Sequence, residues 1–76
     1  NLAPLWDRPF YKLGMLYGKL ERPGDGYYYL GKAFALQDED DKAINNLERA
    51  LKILGANSPR GQLVQEELNT LKKRKR

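Results

Sequence analysis

Seventy-six residues with a net charge of +4 suffice for one small domain, whose core is marginal at this size unless close helix packing, a second copy or a larger parent supports it. The chain has no cysteine and no histidine, which excludes a disulfide framework and a thiolate metal site and removes the commonest metal ligand and the usual general base near neutral pH. Lys72, Lys73, Arg74, Lys75 and Arg76 supply +5, and +4 less +5 leaves −1 for residues 1–71, so the basic character belongs to the tail.

No apolar run approaches the roughly 18 residues of a membrane-spanning helix, and the N-terminus lacks the basic start and apolar centre of a signal peptide. The chain is expected to be soluble. It begins at Asn1 and its single methionine is Met15, from which we expect a segment of a longer protein.

Residues 1–7, NLAPLWD, read as an entry segment in which Pro4 disfavours helix at Ala3 while Leu5 and Trp6 offer apolar surface. Trp6 packs on the first helix or meets sequence upstream. The first helix is predicted over residues 8–21, with Asp7 as N-cap and Pro9 in the first turn. Phe10, Leu13, Gly14 and Tyr17 give it an i, i+3, i+4, i+7 face. Arg22-Pro23-Gly24 ends it, with Gly24 permitting a tight turn.

The second helix is predicted over residues 25–37 and repeats that face seventeen residues later, as Tyr27, Leu30, Gly31 and Phe34. Gly31 costs about 1 kcal/mol in a helix interior, which a close backbone approach would offset. Ala43 is its natural counterpart. The stretch Asp38-Glu39-Asp40-Asp41 makes a turn and places negative charge at the positive pole of a third helix, residues 40–54. Its sharper reading as a metal site lacks the ligand spacing, central glycine and final glutamate of a calcium loop. The third helix carries Ala43, Ile44, Leu47, Ala50, Leu51 and Leu54 and ends at Gly55. Asn57 or Ser58 caps a fourth helix, residues 59–73, whose narrow apolar face is Leu63, Val64, Leu68 and Leu71. The basic tail that follows either opposes the negative pole of the macrodipole as a solvated helix end or attracts phosphates or anionic lipid.

The central unit, Tyr27, Leu30, Gly31 and Phe34 followed by Ala43, Leu47 and Ala50, resembles the tetratricopeptide repeat, a pair of antiparallel helices of signature W-x2-L-G-x2-Y, A-x3-F, A and P. Gly55 stands where proline is usual, and Asp38 replaces the customary turn glycine, although Asp tolerates a left-handed conformation. Over residues 9–51 the LG-x2-YG run, the RPG turn, the aromatic triplet before LG and the closing A-x3-L-x2-AL are similar to the C-terminal repeat region of bacterial zinc-dependent proteases of the M48 type. That likeness implies an all-α chain of about four antiparallel helices forming a right-handed superhelix, and a location in the periplasm or cell envelope. It also implies zinc in the parent's catalytic domain. HExxH needs two histidines to hold the metal, so this chain has no cofactor of its own and is not the protease.

In such a repeat the signature residues are core. The groove positions implied by the resemblance are Asp25, Tyr28 and Lys32 on the second helix and, through the seventeen-residue repetition, Arg8, Tyr11 and Met15 on the first. They would contact a protein or peptide; the bland alternative has Tyr11 and Tyr28 packed partly in the core. The expected function is a non-catalytic protein-interaction module serving substrate or partner binding. The structural alternative is an assembly or capping element that self-associates as a homo-oligomer. Nucleic-acid or anionic-membrane contact through the tail is the lesser reading.

Overall fold

A computed structural model describes the backbone of residues 3–74 and the side chains of residues 9–74. It is all-α: α1 (Ala3–Lys19), α2 (Pro23–Leu36), α3 (Asp40–Leu54) and α4 (Pro59–Arg74) follow one another, each packed on the next. The helices form a slab 36 × 31 × 16 Å. The Trp6 side chain lies outside the described side chains, and Asp7, expected as the N-cap of the first helix, falls inside α1 instead, because the helix starts four residues earlier.

Two helix starts shift from the sequence-based expectation. α1 begins at Ala3, because Pro4 falls in the first turn, where the missing N–H has no helical partner to lose. Pro9 is therefore inside the helix rather than at its start. α2 begins at Pro23, which places Gly24 inside the helix rather than in a turn. A Cβ on Gly24 would lie 2.8 Å from Leu54 Cδ2, so the residue serves the approach of α2 to the end of α3.

The turns repeat every seventeen residues. Glu21, Asp38 and Gly55 have φ of 59°, 62° and 86° and are the positive-φ positions among the described residues. At the first, Arg22 N–H donates to Tyr17 O at 2.8 Å and Glu21 N–H to Gly18 O at 3.2 Å. At the second, Glu39 N–H donates to Phe34 O at 3.0 Å and Asp38 N–H to Ala35 O at 3.1 Å. Both are the paired bonds of a Schellman cap, made without glycine. Ser58 Oγ accepts from Gly61 N–H at 2.9 Å and donates to Gly55 O at 3.0 Å, which joins the end of α3 to the start of α4.

Packing follows the same period. A Cβ on Gly14 would lie 2.6 Å from Leu30 Cγ and 3.0 Å from Gly26 O; one on Gly31 would lie 2.6 Å from Leu47 Cγ and 3.3 Å from Ala43 O. The α1–α2 and α2–α3 interfaces are thus one contact used twice. Tyr28, Ala43, Leu47, Ala50, Val64, Leu68 and Leu71 form the buried cluster, with Tyr27, Phe34, Leu51 and Leu54 packed on its edge. Leu63, expected on the inner face of α4, is 47% exposed. Gly61 takes the inner place, and the 61-64-68-71 spacing defines the face.

Candidate functional site

The six groove positions separate once the helices are assembled. Tyr11 and Met15 stand on α1, 46% and 51% exposed. The Arg8 side chain lies outside the described residues. On α2, Asp25 and Tyr28 are buried, at 8% and 7% exposure, and Lys32 is half-buried. Tyr28 belongs to the core cluster.

Asp25 is buried between two arginines whose charges oppose its own. Arg22 Nη2, three residues earlier, lies 2.9 Å from Asp25 Oδ2, and Arg60 Nη1 from α4 lies 3.7 Å from Oδ1. Arg60 also lies over two rings, 5.0 Å from the Tyr28 centre and 5.4 Å from that of Tyr29. Burial works against its charge, but Tyr29, Asp25 and Tyr28 outweigh that and raise its pKa. A buried carboxylate flanked by guanidinium groups from its own helix start and from α4 ties α4 to α2.

Lys32 makes the second anchor. Its Nζ donates to Glu67 Oε2 of α4 at 3.1 Å and lies 5.3 Å from the Tyr28 ring centre and 5.6 Å from that of Phe10. Burial works to lower its pKa; the hydrogen bond and charge of Glu67, with a contribution from Tyr28, overcome this and leave it above the ordinary value. Beside this pair is a cleft of about 250 Å³ between α1, α2 and α4, lined by Phe10, Lys32, Leu36 and Glu67. Lys32 is the one sequence-derived position lining it. Phe10, Leu36 and Glu67 were missed. Phe10 read as an apolar-face residue, Leu36 stood outside the apolar face read for the second helix, and Glu67 joins them only through the packing of α4, which no spacing within one helix announces.

An aromatic stack backs the cleft. Phe10, Tyr29 and Tyr17 run in order with ring centres 6.2 Å and 5.5 Å apart and planes within 11° of parallel. It ties α1 to α2 by an offset arrangement that favours both rings. Among the described residues no group of three or more His, Cys, Asp or Glu side chains is placed to hold an ion. Asp40 is held instead by Arg74, with Nη2 to Oδ1 at 2.8 Å and Nε to Oδ2 at 3.0 Å. Lys72 pairs with Glu48 at 3.2 Å, so the described part of the tail is tied to α3, while residues 75–76 lie outside the described residues. No described helix is long and apolar enough to cross a membrane.

No protein-family model, curated protein or solved structure matches the chain.

Proposed function

We propose that the chain is a non-catalytic protein-interaction module of the tetratricopeptide type, which binds an extended peptide across the cleft between α1, α2 and α4, and that it comes from the C-terminal part of an M48-type zinc protease of the bacterial envelope. The observation that carries the binding reading is the cleft itself: a wall of Phe10 and Leu36 beside a lysine and a glutamate that face each other at 3.1 Å. An extended peptide presents alternating side chains and a polar backbone, and such a cleft offers it apolar contact, one donor and one acceptor. The parent protease rests on the LG-x2-YG, RPG and A-x3-L-x2-AL runs alone.

The bound position differs from the full set of six. Asp25 and Tyr28 support the cleft from beneath, and Lys32 contacts the ligand. Panning a peptide display library against the chain, followed by amide chemical-shift mapping of a selected peptide, tests this. Shifts centred on Phe10, Lys32, Leu36 and Glu67 are expected, with binding in Lys32→Ala weakened well beyond the loss of stability of about 0–1 kcal/mol that removing a part-exposed ion pair brings. Shifts elsewhere would overturn it.

A second reading, that the chain is a capping or assembly element, is favoured by the internal pairing of Asp25 with Arg60 and of Lys32 with Glu67 of α4. In that case the cleft binds nothing and the chain self-associates, which light scattering across a concentration series would register.

A further inference from the structure

Gly18 is the glycine of α1 that no packing explains. Gly14 and Gly26 are each required by the α1–α2 approach, whereas a Cβ on Gly18 would meet nothing within 4 Å. Gly18 lies in the last turn of α1, where its carbonyl accepts from Glu21 N–H, and no side chain of the described residues fills the space beside its Cα. Gly18 faces an open groove of about 370 Å³ on the α1–α2 pair, walled by Met15 and Lys19 of α1 and by Pro23, Tyr27 and Leu30 of α2. The groove does not include Phe10, Lys32, Leu36 or Glu67 and is a separate surface from the peptide cleft.

Lys19 is the charged residue in the lining of this groove. Lys19 lines one side, and Arg49 of α3 lies 5.7 Å from the ring centre of Tyr27, the residue lining the other. Neither cation has an ion-pair partner among the described residues, in contrast to Arg22, Lys32, Lys42, Arg60, Lys72 and Arg74. From the apolar floor, the bare Gly18 backbone and these two cations we infer that the groove is a docking site for an amphipathic helix of a partner protein whose apolar stripe is bordered by aspartate or glutamate. Small residues are what let two helix backbones approach closely, and the cations of Lys19 on one rim and of Arg49 beside Tyr27 favour carboxylates over lysines on the flanks of the incoming stripe.

The test uses a fluorescent synthetic peptide of about four helical turns with a leucine and alanine stripe flanked by glutamate, and its lysine-flanked twin. Anisotropy is expected to show binding of the acidic peptide and none of the basic one. Gly18→Ala is expected to keep or raise the melting temperature, because nothing in the chain opposes the added methyl, and yet to weaken the acidic peptide about tenfold. Lys19→Glu with Arg49→Glu is expected to abolish it, while Lys32→Ala leaves it unchanged and so separates this groove from the cleft. Equal binding of both peptides, no binding of either, indifference to Gly18→Ala, or binding only to phosphatidylserine vesicles would overturn the inference.

Discussion

Gly31 of α2 lies so close to Leu47 of α3 that a Cβ on the glycine would stand 2.6 Å from the leucine Cγ. Leu47 is fully buried and has Val64 and Leu68 in the same cluster, so it has little room to yield. Replacing Gly31 by alanine gains about 1 kcal/mol of helix propensity and loses about 1–3 kcal/mol to overpacking. Net destabilisation is expected, read as a lower urea midpoint at unchanged slope. Gly14→Ala, whose Cβ would meet Leu30 Cγ at the same 2.6 Å, should behave alike but more mildly, because Leu30 is only half-buried.

The turn after α1 gives a prediction of opposite sign. Glu21 sits at φ 59°, a left-handed conformation that costs an L-residue roughly 1–2 kcal/mol. Its side chain is exposed and makes no ion pair among the described residues. Glu21→Gly should therefore stabilise the chain by about 1 kcal/mol, measured by thermal or urea unfolding. The equivalent Asp38→Gly should gain less, since Asp tolerates this region better and the Asp38 carboxylate lies 3.8 Å from Arg74.

These positions show what could be read in advance and what could not. The seventeen-residue spacing of LG-x2-Y and LG-x2-F located two of the helices and their touching glycines, because helix periodicity and a small residue at a contact are local in sequence. It also anticipated Ala43 opposite Gly31. The start of α1 was missed because Pro4 is compatible with either a break before a helix or the first turn of one. The groove positions were harder. Asp25 looks like a surface acid until Arg60 arrives from α4, thirty-five residues away, and Tyr28 looks like a groove residue until Val64 and Leu68 pack against its side of α2. Such placements depend on how α4 crosses the helix pair, which side-chain spacing within α4 does not encode.

The Lys32–Glu67 pair yields a pH prediction. The Lys32 pKa is raised above its ordinary 10.5 in the folded chain. A cation with a raised folded pKa contributes stability that is fully present below its unfolded pKa and is lost as pH climbs through the folded one. The loss should therefore fall in the alkaline range above about 10.5. Near neutral pH the part-exposed pair contributes about 0–1 kcal/mol. Glu67→Gln removes the partner charge, so the difference in unfolding free energy between the two proteins should be constant from neutral pH to mild alkali and shrink beyond it. Because both proteins keep the same tyrosines, their ionisation largely cancels in the comparison.

Arg74 binds the end of α4 to the α2–α3 turn in three ways. It donates to both carboxylate oxygens of Asp40, at 2.8 Å and 3.0 Å, and its Nη2 donates to the carbonyl oxygen of Ala35 at 3.1 Å. Ala35 belongs to the last turn of α2, where carbonyls lack helical partners, and Asp40 opens α3, where a carboxylate meets the positive pole. One guanidinium thus serves a helix C-terminus and a helix N-terminus together, and it does so through a planar fork that lysine lacks. Arg74 is nearly half exposed, so the global effect of Arg74→Ala should be small, up to about 1 kcal/mol. The local effect should be larger: amides in the last turn of α4, after Leu71, should lose hydrogen-exchange protection, while those around Val64, buried in the core, keep theirs. Arg74→Lys should retain the attraction to Asp40 and lose the bond to Ala35, so it should restore melting temperature more than it restores protection. Equal protection in all three proteins would mean that α4 is held by Leu68 and Leu71 alone and that the clamp is incidental.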